Sequence, residues 1–287
     1  MLYKYLSPDR VDILENCHIR FTQAAAFNDL FEIKPHITSI VPEDEAQRQL
    51  REMLPESLKQ EYLKMPPQAR ASLSYGRFLH LAQDRLEQIM PQALTVLDGI
   101  RPMVQEGISG FAEKIGILSL TENPDNLLMW AHYALNHEGF ALGIDNLHPY
   151  FDCRKGSKDE LRHLRKVKYV EQRPNLPMIE LTGEDILLTK SSLWSYENEW
   201  RILRALQEAD KVIEASPHPI HLFSFPPEIV RTIILGNRIS AGLKDKIIQI
   251  VSDKEKYSSI EVLQATQDEQ EYKLNFKTVY LPVARYL

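Results

Sequence analysis

The chain has 287 residues, 44% of them hydrophobic and 26% charged, with a formal net charge of −6. That balance excludes disorder over the whole chain, and the mild acidity gives no general attraction to nucleic acid or to an anionic membrane. The apolar runs, residues 229–235 among them, fall far short of the ~20 residues a spanning helix needs, so no membrane partner is expected.

Residues 2–6 open with an apolar run that reads as a strand around Tyr3-Lys4-Tyr5. Ser7-Pro8-Asp9 starts a short helix with Val11, Ile13 and Leu14 on its buried side. Residues 18–22 alternate as a strand, and Asn28-Asp29 carries turn chemistry. Residues 43–110 are rich in Leu, Met, Gln, Glu and Arg and read as a helical insertion, divided at Pro55, Pro66-Pro67, Pro91 and Pro102. Beyond it, strands are expected at 115–121, 139–144, 167–170, 199–203, 232–235, 261–265 and 273–279. Helices are expected at 126–135, 157–165, 186–196 and 241–252. Short strands without long βαβ alternation predict one α+β domain over 1–287, with mixed, mostly antiparallel small sheets and the 43–110 insertion inside it.

Glycine is scarce, at 11 residues, and neither GxGxxG nor GxxxxGK[ST] occurs. Cys17 and Cys153 are the only cysteines and form no CxxC, so no disulfide framework and no Cys-rich metal site is expected. The start, Met1-Leu2-Tyr3-Lys4-Tyr5, has no apolar signal region, which predicts a cytoplasmic protein with reduced thiols.

Three groups of residues can carry chemistry. In Trp194-Ser195-Tyr196-Glu197-Asn198-Glu199-Trp200-Arg201, an extended backbone from Glu197 onward puts Glu197, Glu199 and Arg201 on one face. The two carboxylates then lie roughly 6–7 Å apart, a spacing that suits one acid for a developing sugar cation and one for the incoming nucleophile. A surface ion ladder is the plain alternative. Met129, His132 and Tyr133 share a helix face; His132 and His137 are five apart, not the four of a zinc helix, so no metal site is expected. Tyr3, Lys4 and Tyr5, with Arg20 and the Asn28-Asp29…Glu32 turn, combine aromatic rings with cations able to hold a nicotinamide or adenine ring and a diphosphate. A half-buried strand and a capped turn would look the same. Arg154, Lys155, Lys158, Arg162, Arg165, Lys166 and Lys168 form a basic stretch that reads as a solvated face or a nucleic-acid backbone contact.

The order LYKY, FNDLFE, LSLTE, LLMWAHYA, HEGFALGI and TKSSLWSYENEWRIL resembles an uncharacterised bacterial family, a domain of unknown function. Where that family has NDPFE, this chain has Asn28-Asp29-Leu30-Phe31-Glu32. The layout is also similar to that of the ADP-ribosyltransferases, and the opening looks like their DNA-targeting toxin branch, with Lys4 in place of a His and Ser119-Leu120-Thr121 a partial match to the Ser-Thr-Ser strand. The resemblance implies an ADP-ribosyltransferase-like core using NAD as substrate, in a transferase or NAD glycohydrolase of phage defence or toxin systems. It makes Glu199 the catalytic carboxylate and Glu197 the acceptor-orienting one. Tyr3, Lys4, Tyr5 and Arg20 would contact NAD, Ser119 and Thr121 would line the pocket, and His132 and Tyr133 would sit at the nicotinamide end. The implied partners are a protein or nucleic-acid acceptor and an antitoxin or regulatory protein. Two rivals stay open: a metal-dependent nuclease built on Glu197, Glu199 and Lys190, and a sensor or protein-binding module that docks through 43–110.

Overall fold

Strand alternation explains how the first residues are shared between two cores. Leu2 and Leu6 enter one, with Leu142, Ile144, Ile233 and Leu235. Tyr5 points the other way and packs with Trp130, Ala141 and Ile234. A period of two residues, carried by every central strand, puts one apolar set on each face of the sheet. The computed structural model describes residues 1–281 apart from Lys254 and Ser258.

Among the described residues eleven strands join one sheet. Its order from one edge is Lys211–Ile213, Ile220–Ser224, His18–Gln23, Ile115–Thr121, Leu2–Leu6, Phe140–Ile144, Val230–Leu235, Glu261–Gln267 and Leu274–Tyr280. Glu199–Ala205 pairs with Ile115–Thr121 and with Arg165–Lys166. The pair Val230–Leu235 with Glu261–Gln267 is parallel and is bridged by helix Ala241–Val251; the other pairs of this sheet are antiparallel. The fold is thus a mixture of helix and a mostly antiparallel open sheet. Most of the short strands expected as small sheets join one large sheet, because they share neighbours in register, while two two-stranded pairs stay separate. Helices Asp12–Asn16 and Ala241–Val251 cover one face through Ile13, Leu14, Ile247 and Val251. Helix Leu127–Tyr133 covers the other through Met129 and Trp130.

The chain divides into two compact units. The first, residues 1–33, 111–172 and 187 onward, contains the large sheet. The second, Lys34–Gly110 with Arg173–Ile186, holds helices Glu43–Lys64, Pro67–Ser72 and Tyr75–Asp98 and a short parallel pair, His36–Ile37 with Asn175–Leu176. Pro66 separates two helices as expected, but Pro55 and Pro91 sit inside helices that run straight through them. Each costs a backbone hydrogen bond, and the long runs of good helix formers on both sides carry the helix across. No helix among the described residues is long and apolar enough to cross a membrane.

Of the expected helices, 157–165 is absent and 186–196 is broken: residues 186–187 end the helix Gly183–Leu187, and residues 192–196 lie in a 3-10 helix. Residues 157–165 form turns, because the Asp159 carboxylate accepts from the N–H groups of Lys155, Leu161 and Arg162 and so competes with helical bonding. Residues 186–196 break into the strand Thr189–Ser191 and the 3-10 turn Ser192–Glu197, with the Ser191 hydroxyl accepting from Leu193 N–H at the turn's start. The strands Lys211–Ile213 and Ile220–Ser224, which carry no strong periodicity, extend the sheet beyond His18–Gln23.

Candidate functional site

The site begins as a division in the sheet. Strand Ile115–Thr121 pairs along its whole length with Glu199–Ala205 on one edge. Its opposite edge is shared. His18–Gln23 pairs near its start, at Ile117 and Gly116, and Leu2–Leu6 pairs at its end, Tyr3 with Thr121. Residues 118–120 meet neither partner in those registers. The Lys4 ammonium fills part of this gap by donating to the Ser119 carbonyl at 3.0 Å. Backbone groups left open by a sheet must find another partner, and here a side chain supplies it.

A cleft of about 380 Å³ lies over this division, within the usual range for small-molecule sites. Tyr3, Lys4, Tyr5, Arg20, Ser119, Thr121, His132, Tyr133, Glu197 and Glu199 all line it. The ten residues singled out in the sequence, drawn from five separate segments, therefore meet at one place. Thr22, Phe27, Asn28 and Lys190 join them.

One wall of the cleft is acidic. Glu197 and Glu199 do not share a strand face as expected. Glu197 ends the 3-10 turn, Asn198 adopts the left-handed conformation with φ 41°, and the strand starts only at Glu199. Asparagine tolerates that conformation better than most residues. The turn is tied down from residues 121–126: the Thr121 hydroxyl donates to the Glu197 carbonyl, and the Asn123 and Asn126 amides donate to the Tyr196 carbonyl at 3.1 and 3.3 Å. The two carboxylates still converge, because Lys190 lies between them, 2.6 Å from Glu197 and 3.1 Å from Glu199. Tyr133 donates to the other Glu197 oxygen at 2.5 Å, and Asn28 donates to the Tyr133 hydroxyl at 3.1 Å. Arg201 binds Glu199 through Nε at 2.8 Å and Nη2 at 3.0 Å, and donates to Glu32 as well.

These groups are buried, and burial decides their charge states. Burial alone would raise the Glu199 carboxyl; the Arg201 and Lys190 charges, with hydrogen bonds from Arg201 and Ser119, overcome it and hold it down to about 2. Burial would likewise strip the Lys190 proton, but Glu199, Glu32 and Glu197 push the ammonium above its ordinary range. Tyr133 is raised by burial and then by the Glu197 charge, so it stays a neutral donor. Glu199 is consequently a fixed anion, and Lys190 and Arg201 are fixed cations.

The opposite end is cationic. Arg20 and Lys4 continue from the cleft into a smaller hollow of about 180 Å³ that also includes Ser7 and Arg10. No acidic residue lines that hollow; Arg10 pairs with Asp12 at 3.3 Å. Burial lowers Lys4 to about 8; the Glu199 charge, and more weakly Glu197, oppose the shift, while Arg10 and Arg20 add to it. Arg20 is lowered by burial and by Arg10, and its Nε is buried without a hydrogen-bond partner. Cations crowded together with a donor left over form a seat for an anion.

Some residues have more structural than chemical work. Tyr5 packs edge-on against Trp130 at 5.0 Å and donates to the Asn123 carbonyl, so it forms the floor of the cleft. Thr121 anchors the Glu197 turn. His132 approaches the Tyr196 hydroxyl at 3.1 Å through Nδ1. His137 stacks on Trp130, 6.1 Å away with the rings nearly parallel, and lies in a left-handed run from Leu135 to His137 that turns the chain back into the sheet. Gly139 follows, where an added Cβ would meet the Leu6 carbonyl at 2.0 Å. Among the described residues no group of three or more His, Cys, Asp and Glu side chains is arranged to hold a metal ion. Sequence reasoning placed Asn28 and Glu32 in the turn grouped with Tyr3, Lys4, Tyr5 and Arg20 but did not give them their partners, which lie more than a hundred residues away; it left Arg10 unassigned, though its neighbours in the hollow, Lys4, Ser7 and Arg20, are close in sequence.

Comparison with known proteins gives a family match over part of the chain and no activity. Residues 129–202 match a family described as "Protein of unknown function (DUF2971)". The matched stretch runs from helix Leu127–Tyr133 to the start of strand Glu199–Ala205, so it includes Tyr133, Lys190, Glu197, Glu199 and Arg201. No curated protein and no solved structure matches the chain.

Proposed function

We propose that the cleft binds NAD and that the protein breaks its nicotinamide–ribose bond, passing ADP-ribose to an acceptor or to water. The observation that carries this reading is the polarity of one cleft, acidic at Glu199 and Glu197 and cationic at Lys4, Arg20 and Arg10. A ligand that fits both ends carries phosphates at one and develops positive charge at the other. NAD is such a molecule. Arg20, with Lys4, seats the diphosphate. The Glu199 carboxylate faces the ribose carbon as the C–N bond breaks, the bonding pair leaves with neutral nicotinamide, and the sugar becomes oxocarbenium-like. Glu197, held by Tyr133 and Lys190, orients the incoming nucleophile, which forms the new bond at the same carbon and releases its proton.

The similarity to ADP-ribosyltransferases supports the same assignment through the early cation-bearing strand, the Ser119–Thr121 strand and the late glutamate. The nuclease reading asks Glu197 and Glu199 to hold a metal, whereas their oxygens already receive Lys190, Arg201 and Tyr133. Free nicotinamide is measured after incubation with NAD in EDTA. Release by the wild type and loss in Glu199→Gln support the transferase or glycohydrolase; nucleic-acid cleavage that requires Mg²⁺ or Mn²⁺, with NAD untouched, refutes it.

A further inference from the structure

The buried charges that bond to one another beside the cleft do not balance when every carboxylate is ionised. Glu32, Glu197 and Glu199 then supply three negative charges against two positive ones from Lys190 and Arg201, leaving one in excess within this bonded set; burial pushes the Glu32 carboxyl up while Arg201 and Lys190 pull it down, and Lys4, outside the set, faces Glu199 and Glu197 from the cleft. None of the five side chains is more than 5% exposed. An unbalanced charge is costly in such surroundings, and a buried network that leaves one is a candidate for function rather than for stability alone.

Glu32 creates the excess. It comes from the loop after strand His18–Gln23, far in sequence from the other four residues, and the lining of the cleft runs through Glu197 and Glu199 without it. One of its oxygens accepts from Arg201 Nη2. The other lies 3.6 Å from Lys190 Nζ and has no hydrogen-bond partner. Both cations are also bound to Glu199. Both cations bonded to Glu199 are thus shared with a second carboxylate placed behind it.

We propose that Glu32 is a positioning residue that draws Arg201 and Lys190 partly away from Glu199, so that the cleft wall keeps a net negative charge for the sugar cation. Without Glu32 the set is neutral, both cations settle on Glu199, and the wall loses the charge that stabilises the transition state. The loop from Ala24 onward then has a role beyond closing a turn: Glu32 governs Glu199 through Arg201, while Asn28 holds Tyr133 against Glu197.

The proposal rests on the NAD reading of the cleft and is tested with the full chain at pH 7.5. Glu32→Gln keeps the shape and removes the charge. It is expected to lower kcat for nicotinamide release roughly tenfold or more, a loss of the kind seen when one charge-stabilising group is removed, while KM for NAD moves less than about twofold, as for an interaction made in the transition state. Glu32→Asp keeps the charge and is expected to stay within about threefold of wild type. Circular dichroism checks that both fold. If Glu32→Gln does not fold, Glu32→Asp carries the test alone, and a tenfold loss there overturns the proposal. Equal losses in both variants assign the effect to packing and also overturn it. A wild type that leaves NAD intact overturns the reading of the cleft together with this proposal, whereas wild-type turnover with an unaffected Glu32→Gln overturns this proposal alone.

Discussion

Charge is dense in two regions of this protein, and burial gives them opposite characters. In the turns of residues 152–166, Arg154 pairs with Asp152, Lys155 and Arg162 with Glu208, Arg165 with Glu160, and Lys166 with Glu122. Most of these side chains reach solvent: Arg154 is 43% exposed and Lys155 68%. Water screens them, so each pair contributes little to stability, and five of the seven basic residues of the stretch face a neighbouring acid. At the cleft the bonded charges are fewer and nearly all buried, with three carboxylates sharing two cations. There each partner is held in place by several others, and the electrostatic field acts on a ligand instead of on water. A run of basic residues therefore marks a site less well than a few charges that folding removes from solvent.

This contrast can be broken at several points. Glu199→Gln is expected to have the largest effect on turnover, roughly a hundredfold or more in kcat with NAD binding retained, since a preorganised charge is worth that much in a dry site; nicotinamide release against NAD concentration checks it. Arg201→Met removes one partner of a buried set and leaves carboxylates uncompensated. It should cost about 3–5 kcal/mol of stability, read from urea unfolding. Arg20→Gln should raise KM for NAD roughly tenfold with little change in kcat, because a charge-assisted hydrogen bond to phosphate is worth about 1.5–3 kcal/mol and acts equally on ground and transition states. Arg154→Ala, in the exposed region, should leave the urea midpoint and KM for NAD essentially unmoved.

Two pH dependences separate the ends of the cleft. Glu199 is depressed in the folded state to about 2, so the stability it contributes is present above the ordinary carboxylate range and is lost as pH falls through that range towards 2. Lys4 is depressed to about 8. The folded protein therefore releases this proton before the unfolded chain does, and stability rises with pH between about 8 and the ordinary lysine value. Over the same interval the cationic end loses a charge, so NAD should bind several-fold more weakly above pH 8 than at pH 7. Titration of NAD affinity against pH, compared with Lys4→Met, which should flatten the profile, tests this.

Much of the fold was legible because the central strands are short apolar runs, buried along nearly their whole length. Residues 115–121 form a strand over the expected range, and the opening strand and the strand from Glu199 lie where pattern placed them. The helix expected at 157–165 does not form, since the Asp159 carboxylate takes its N–H groups, and the one expected at 186–196 is split by the strand Thr189–Ser191, whose pairing with Lys168–Val170 no local pattern signals. At the site, residue types alone pointed to Glu197, Glu199 and the Tyr3–Tyr5 strand. The geometry that unites them did not follow from spacing: Asn198 breaks the strand, and Lys190, not a shared face, brings the two acids together. Glu32 was hidden for a stronger reason. A carboxylate in an Asn-Asp turn looks like capping chemistry, and its link to Arg201 spans 169 positions of chain.

The central claim is that one cleft receives a phosphate-bearing, ribose-linked cation with its phosphates at Arg20 and its ribose at Glu199. Isothermal titration calorimetry of NAD against the wild type and Arg20→Gln at pH 7 tests it most directly. The account predicts a single saturable site per chain, markedly weakened in Arg20→Gln, with ADP-ribose competing for it. Absence of saturable heat, or binding indifferent to Arg20, contradicts it.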